Sequence, residues 1–256
     1  MKLGTPWTGR LFWKSNDKEN QMIETTSEIT VELHSSMGSD ASVVQAARVS
    51  TVGEECLESE PGEHAGLINY LMKHRHGTPF EHNSVTFFVK APIFVWREWH
   101  RHRIGFSYNE ESARYKVLEP LFYVPQPGRP MFKVDGWKPG RPKFTSAEHP
   151  DETAKVFELR TNLTEVYRHG YLAYLRNLDL GIDPGLARDC LPVGIYSSCW
   201  VTCNARSLMS FLSLRTHEPD ADRVSYPLYE IEVAARKCED HFAKLFPLTY
   251  SAWNRN

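Results

Sequence analysis

The sequence predicts an α+β fold in a single domain, in which an antiparallel or mixed sheet packs with several helices. Residues 29–33 and 84–90 alternate apolar and polar side chains, as half-buried strands do. Longer stretches place apolar residues three and four apart, as amphipathic helices do, and these outnumber the strand-like stretches. No internal repeat and no clean linker divides the 256 residues, so one domain is expected over 1–256.

The first half of the chain predicts an arm followed by alternating strands and helices. In order, we expect an irregular polar arm at 1–28, a strand at 29–33, helices at 40–50 and 63–74, a strand at 84–90 and a helix beginning at Pro92. Asp40 can cap the first helix, and Gly77 and Pro79 end the second. Pro92 suits a first helical turn, and its helix then delivers Arg101-His102-Arg103 at the C-terminal end.

The second half predicts mainly helices around one further strand. In order, we expect a long loop at 120–150, an amphipathic helix at 156–174, a short helix after Pro184 that contains Arg188, a strand at 195–203, and helices at 204–214 and 228–245. The loop is predicted because seven of the sixteen prolines fall within it. The long helix is predicted from a stripe that includes Leu159, Leu163 and Val166.

Charge and cysteine content exclude several classes of protein. A net charge of −2 provides no overall attraction to nucleic acid or to an anionic membrane, so any basic site is local. No signal peptide and no stretch of about 18 apolar residues is present. The five cysteines are odd in number and form no CxxC pair, which indicates reduced thiols. We therefore expect a cytoplasmic protein.

The segment from Arg101 to Tyr115, RHRIGFSYNEESARY, has the densest set of polar groups in the chain. Guanidinium groups stay charged and present forked donors that match phosphate or carboxylate oxygens. Backbone amides around Gly105 can approach a ligand closely. The segment therefore predicts a site for a phosphorylated small molecule that also forms several hydrogen bonds.

This segment resembles the signature of flavin-dependent thymidylate synthases, in which RHR and a short spacer precede a serine. Ile104 to Glu111 form the spacer in its longer, eight-residue form, and Ser112 is the serine. Further blocks resemble the family in its order: AARVS at 46–50, HRHGTPFEH at 74–82, KAPIFV at 90–95 and NARSLM at 204–209. The resemblance thus extends over 46–215.

The resemblance implies the conversion of dUMP to dTMP by a homotetramer whose active sites lie between subunits. It implies FAD as cofactor, with NADPH and methylenetetrahydrofolate as co-substrates. NADPH reduces the flavin, the folate supplies the carbon, and the reduced flavin delivers reducing equivalents to the pyrimidine. No cysteine lies in a matching block, in agreement with a route that needs no thiol nucleophile. Ser112 then positions the substrate, since no base that would activate it is evident.

Substrate residues follow from the same resemblance. Those expected to bind dUMP are Glu98, Trp99, His100, Arg101, Glu110, Glu111, Ser112, Ala113, Arg114, Arg188 and Arg215. Arg215 is also the candidate catalytic residue, because it matches the arginine proposed to favour ionisation of uracil N3. A fixed cation beside a developing negative charge stabilises that charge.

Flavin residues are implied in the same way, and no metal site is predicted. Those expected to bind FAD are Ser50, His76, Thr78, Glu81, Arg101, His102, Arg103, Glu110, Asn204, Ala205, Arg206 and Ser210. Two residues depart from the family pattern: Glu111 replaces an apolar residue, and Ser210 stands where Asn or His is common. Residues 216–230 match no family block. A GxGxxG loop is absent, so a Rossmann dinucleotide site is not supported.

Two hypotheses from other classes compete with this one. A metal-dependent phosphohydrolase could use the histidine pairs at 74/76 and 100/102, but HxH on a helix points its two rings about 200° apart. A nucleic-acid-binding module could combine Arg101 and Arg103 with neighbouring aromatic side chains. The net charge and the two glutamates of the signature disfavour that module.

Overall fold

A computed structural model describes residues 23–58, 64–132 and 153–253, which form six strands and eight α-helices. The strands are β1 Glu24–Thr26, β2 Thr30–Met37, β3 Ser84–Pro92, β4 Phe106–Glu110, β5 Leu121–Tyr123 and β6 Tyr196–Cys203. The helices are α1 Asp40–Val52, α2 His64–Lys73, α3 Ile93–Trp99, α4 Thr153–Asp179, α5 Pro184–Ala187, α6 Ala205–Arg215, α7 Tyr229–Leu245 and α8 Pro247–Ala252. No described helix is long and apolar enough to cross a membrane.

The central sheet is antiparallel, with strand order β2-β3-β6-β4. In β3 the side chains of Val85, Phe87 and Val89 are buried, and Thr86 and Phe88 between them are half-exposed. One face of the sheet therefore packs against helices, as the alternation predicts. The predicted α+β architecture with an antiparallel sheet is confirmed.

Apolar side chains form two clusters that meet at Ile93 of α3. The larger cluster lies under the sheet and contains Trp96, Trp99 and Phe211, with the Trp99 ring stacked 4.8 Å from that of Phe211. The smaller cluster surrounds α4. The two clusters share one helix, so the segment that follows α3 is attached to both.

The long helix α4 forms as predicted, but the stripe assigned to its buried face was partly wrong. Val166 is 57% exposed and Leu159 is 39% exposed, while Tyr167, Tyr171 and Tyr174 are buried. Tyrosine buries well when its hydroxyl has a partner, and the Tyr171 hydroxyl donates to the Leu118 carbonyl over 2.9 Å. Val156 and Tyr174 of the predicted stripe are buried as expected, whereas in the middle of the helix the buried residues are Tyr167 and Tyr171, each one position after the predicted Val166 and Gly170.

Two segments predicted to be irregular contain strands. β1 lies in the expected arm 1–28 and pairs in parallel with β5, which lies in the expected loop 120–150. Each strand has three residues, too few for an alternating pattern to show, and the pairing depends on a partner about a hundred residues away. The remainder of these two predictions, at 1–22 and 133–152, lies outside the described residues.

Helix ends explain the other differences from the prediction. Asp40 does not cap α1, whose N-cap is Ser39. It accepts hydrogen bonds from the amides of Leu248 and Thr249, over 2.8 and 3.0 Å, and so caps α8, which was not predicted. Arg188 lies in a 3₁₀ turn after α5 rather than in the helix. Caps that depend on distant residues leave no local sequence pattern.

A buried carboxylate connects β5 to α7. Glu230 is 2% exposed, accepts a hydrogen bond from Tyr123 and forms an ion pair with Arg129, whose Nη2 donates to Glu230 Oε2 over 3.0 Å. Burial raises the pKa of the Tyr123 hydroxyl, as does the neighbouring Glu230 charge. Both partners of Glu230 are therefore held in a protonated, donating form.

We expect Glu230→Ala to destabilise the protein by about 3–5 kcal/mol, because Arg129 is left as an uncompensated, largely buried charge. Lys90→Ala is the matched control, since it breaks the exposed Lys90–Glu119 ion pair, with its 2.9 Å separation. The control should lose less than about 1 kcal/mol. Urea denaturation measures both free energies of unfolding, and equal losses would contradict the assignment.

Candidate functional site

A cleft of about 780 Å³ opens between the segment after α3 and one side of α6. That volume lies within the range of about 300–1,000 Å³ that is typical of ligand sites. The cleft is lined by Glu81, Arg101, His102, Arg103, Ile104, Gly105, Phe106, Asn204, Arg206, Ser207, Ser210, Leu214 and Arg215. Predicted flavin residues from three separate stretches of sequence thus share one cleft with Arg215.

The turn that carries the RHR triplet is fixed by residues that the sequence analysis did not assign to the site. Tyr108 of β4 donates its hydroxyl to the carbonyls of His102 and Trp99, over 2.6 and 3.2 Å. Gly105 has φ +68°, and a Cβ there would lie 2.1 Å from the Ser207 hydroxyl of α6. Glycine is therefore required for both conformation and close approach.

The start of α6 forms the opposite wall of the cleft. Asn204 is its N-cap and accepts the Ser207 amide over 2.9 Å, and Asn83 accepts the Ala205 amide over 2.7 Å. Gly77 lies directly under the Arg206 guanidinium, since a Cβ on Gly77 would lie 2.6 Å from Arg206 Cζ. The segment after α2 is therefore held against the start of α6.

Four arginines face the cleft, and two of them have their charges unpaired. Arg206 forms an ion pair with Glu81, and Arg215 forms one with Glu98. Within the described ranges 23–58, 64–132 and 153–253, Arg101 and Arg103 make no ion pair. Unpaired guanidinium groups beside a close-packed glycine turn can hold an anion such as a diphosphate.

Arg215 is the last residue of α6, and its side chain extends from α6 to Glu98 of α3. Its side chain is 13% exposed, and Nη1 and Nη2 donate to the Glu98 carboxylate and carbonyl over 2.7 and 3.1 Å. Arg215 Nε donates to His102 Nε2 over 3.0 Å. Burial lowers the pKa of His102 to about 4, helped by the charges of Arg215 and Arg101. The imidazole is therefore neutral at pH 7 and can accept this bond.

The second half of the signature lies around α5, outside the cleft. Arg114 lies against Gly185, where a Cβ would be 3.5 Å from Arg114 Cγ, and Arg188 Nε donates to the Gly185 carbonyl over 3.2 Å. The Ser112 hydroxyl accepts the Arg114 amide over 3.3 Å. The two predicted substrate arginines thus meet at one glycine.

Glu111, which departs from the family pattern, has a role in the sheet. Its backbone amide donates to the Ser198 carbonyl over 2.8 Å, and its carboxylate accepts the Ser198 amide over 2.9 Å. The same carboxylate pairs with Lys116 over 2.8 Å. The charged side chain is therefore neutralised and extends the β4–β6 pairing by one residue.

The remaining predicted residues are not among those that line the cleft. Trp99 and Ala113 are buried, and His100 stacks on Trp96 at 5.5 Å. The Ser50 hydroxyl donates to the Ala47 carbonyl of its own helix. The others outside the lining are His76, Thr78, Glu110 and Ala205. Ser207 and Leu214 line the cleft without having been predicted, although both lie on the α6 face that carries Ser210.

Comparison with known proteins identifies the family. The family model described as "Thymidylate synthase complementing protein" matches residues 32–248. A flavin-dependent thymidylate synthase of Streptomyces coelicolor is 48% identical over 241 residues, which are 93% of this chain and 96% of that protein. One from Tropheryma whipplei is 44% identical over 90% of this chain and 93% of its own.

The chain belongs to the flavin-dependent thymidylate synthase family. Synthesis of thymidylate with a flavin cofactor is the activity of this family. The crystal structure of a UMP/dUMP methylase, PolB from Streptomyces cacaoi, bound with 5-Br dUMP, superimposes with a TM-score of 0.83. The two are 47% identical, over 91% of this chain and 99% of that one.

Among the described residues, no three His, Cys, Asp or Glu side chains come together as metal ligands. The ring centroids of His74 and His76 are 6.3 Å apart, and both rings lie near Tyr70. The phosphohydrolase hypothesis therefore has no ligand set in the part of the chain that the structure describes.

We expect Arg215→Gln to raise the pKa of His102 above about 4 but to leave it below the ordinary value of about 6.5. The variant removes one nearby positive charge, while burial and Arg101 remain. Titration of the imidazole by NMR measures the change, with exposed Arg223→Gln as the control. An unchanged pKa would contradict the contact.

The lowered pKa of His102 also determines whether the free energy of unfolding rises or falls with pH. Between about pH 6.5 and 4 the unfolded chain protonates His102 and the folded chain does not. His102 therefore contributes a loss of stability as the pH falls through this window.

Proposed function

We propose that this chain converts dUMP to dTMP, with methylenetetrahydrofolate as carbon donor and FAD, reduced by NADPH, as reductant. The main support for the proposal is that predicted flavin residues and Arg215 line the same cleft. FAD, NADPH and the folate are inferred from membership of the family, whereas the arginines and their geometry belong to this chain.

Arg101, Arg103 and Arg206 are proposed to bind the diphosphate of FAD. Arg101 and Arg103 are exposed and unpaired within the described residues, and Arg206 can exchange its exposed partner Glu81 for phosphate oxygens at little cost. Bound flavin supplies the reducing equivalents of the reaction. The protein holds it between the glycine turn and α6.

Arg215 is proposed to stabilise negative charge on the uracil ring. The guanidinium is largely buried and already fixed by three hydrogen bonds, so it is preorganised for a developing anion. Among the described residues, Arg215 is paired with one carboxylate, that of Glu98, and the neutral His102 accepts a hydrogen bond without adding a charge. Ser112 donates to the substrate and does not attack it, since its hydroxyl contacts no basic side chain among the described residues.

A homotetramer is proposed from membership of the family, and the separation of the two substrate groups supports active sites that are shared between subunits. Arg215 faces the cleft, whereas Arg114 and Arg188 lie at Gly185 of α5, and neither they nor Ser112 line that cleft. One subunit then supplies Arg215 and another supplies Arg114 to the same dUMP. We also propose a cytoplasmic location, in agreement with the reduced thiols of Cys190, Cys199, Cys203 and Cys238.

The activity is tested by product formation from dUMP. We expect dTMP only when FAD, NADPH and methylenetetrahydrofolate are all present, and a flavin spectrum in the protein. Arg215→Ala should remain folded and lose about a hundredfold or more in turnover. UMP is assayed in parallel, because the S. cacaoi protein is a UMP/dUMP methylase. A protein that never binds FAD, or that acts on UMP alone, would overturn the proposal.

The shared site is tested by mixing two inactive variants. If Arg114 and Arg215 of one site come from different subunits, hybrids of Arg114→Ala and Arg215→Ala contain sites with both native arginines. Random pairing restores up to about a quarter of the native activity. Hybrids of Arg114→Ala with Arg188→Ala, which lie on the same side, are the control. If both mixtures stay inactive, the two arginines belong to one subunit.

A further inference from the structure

Residues 216–228, which connect α6 to α7, begin directly after Arg215 and match none of the family blocks found in the sequence. In the structure, two side chains of α7, Arg236 and Glu232, form hydrogen bonds to this connection. We propose that Arg236 is a positioning residue: it fixes the end of α6 and thereby directs the Arg215 guanidinium into the cleft. The inference rests on the proposed role of Arg215.

Arg236 joins the connection to two turns of α7. Its Nη2 donates to the His217 carbonyl over 2.8 Å, and its Nη1 donates to Glu218 Oε1 over 2.6 Å. Glu232 and Glu239 hold the same guanidinium from α7 over 3.2 and 3.1 Å. Glu239 is nearly fully buried and also accepts the Tyr250 hydroxyl over 2.9 Å. The hydrogen bonds around Arg236 therefore extend from the connection through α7 to Tyr250 of α8.

The connection in turn caps the last turn of α6. Thr216 donates its hydroxyl to the Leu212 carbonyl over 2.7 Å, and Ser225 donates its hydroxyl to the Leu214 carbonyl over 2.7 Å. The Ser225 carbonyl shares a hydrogen bond of 2.8 Å with the His217 ring, and Glu232 accepts the His217 amide over 2.9 Å. The final carbonyls of a helix lack partners within it and otherwise fray. Here the Ser225 hydroxyl satisfies the Leu214 carbonyl, and the Leu212 carbonyl accepts both the amide and the hydroxyl of Thr216.

Arg215 therefore lies between two restrained neighbours, Leu214 and Thr216. An arginine side chain loses rotamer entropy when it is fixed in one conformation. A rigid backbone on both sides limits the positions from which Arg215 can reach Glu98 and His102. Arg236 itself lines no part of the cleft. Its effect on the substrate is consequently transmitted by Arg215.

Flavin-loaded protein tests the inference through a double-mutant cycle. Arg236→Ala should weaken dUMP binding, measured by calorimetry, by about tenfold, which corresponds to ~1.4 kcal/mol. Reduction of the flavin by NADPH should be unchanged. In an Arg215→Ala background, Arg236→Ala should weaken dUMP binding no further, because coupled residues are not additive. Arg236→Lys should restore part of the affinity, since an ammonium still donates to the His217 carbonyl.

Lys237→Ala is the matched control on the same helix. Lys237 Nζ donates to the Ile29 carbonyl over 2.6 Å, away from α6, so dUMP affinity should stay native. Ser225→Ala removes the hydrogen bond to the Leu214 carbonyl and so tests the same effect at a second position. It should weaken dUMP binding when Arg215 is present and should have no effect in the Arg215→Ala background.

Three results would overturn the inference, and they are distinguishable. Equal losses of affinity with and without Arg215 would show that Arg236 has only a general structural role. Native affinity in Arg236→Ala and Ser225→Ala would remove the connection from the site and leave the proposed function intact. If Arg215→Ala itself binds dUMP with native affinity, Arg215 does not contribute to dUMP binding and the inference fails, while the turnover of that variant tests the proposed role of Arg215 separately.

Discussion

The contact between the segment after α3 and α6 is the constraint on which the site depends. Trp99 stacks on Phe211 in the core, and a few residues further on Gly105 packs directly against Ser207. The first contact sets the distance between the two helices, and the second closes the turn on the start of α6. Because protein interiors are close-packed, a bulkier residue at either point would displace the wall of the cleft. The arrangement of the arginines follows from this packing.

Charge in this protein is organised locally. The net charge of the chain is only −2, yet four arginines face one cleft. Within the described residues, two of these arginines are paired with carboxylates and two are unpaired. Exposed unpaired arginines suit a diphosphate, whereas the largely buried Arg215 suits a smaller and more delocalised charge. A neutral His102 between them is consistent with this division, since a protonated ring would repel both Arg215 and Arg101.

Much of the fold and of the cleft could be predicted from the sequence. Strong alternation located β3, helical spacing located α2, α4 and α6, and the RHR signature located one wall of the cleft. β4 was not predicted, although inward Phe106 and Tyr108 alternate with exposed Ser107 and Asn109, because the segment was interpreted only as part of the RHR signature. Nor did it predict that Tyr108 holds the RHR turn, since that bond depends on how the turn folds back over the strand. Local sequence patterns also could not predict that Arg114 and Arg215 lie in different places, with only Arg215 lining the cleft.

Asp40 illustrates how such long-range contacts affect the order of events during synthesis. Its carboxylate receives three hydrogen bonds from Leu248 and Thr249, 208 and 209 positions further along the chain. The ribosome makes nearly all of this sequence before those donors exist. Until then the carboxylate remains solvated, and a contact of such sequence separation forms slowly. The N-terminal end of α8 is therefore capped only when α8 docks against α1, after nearly all of this sequence has been made.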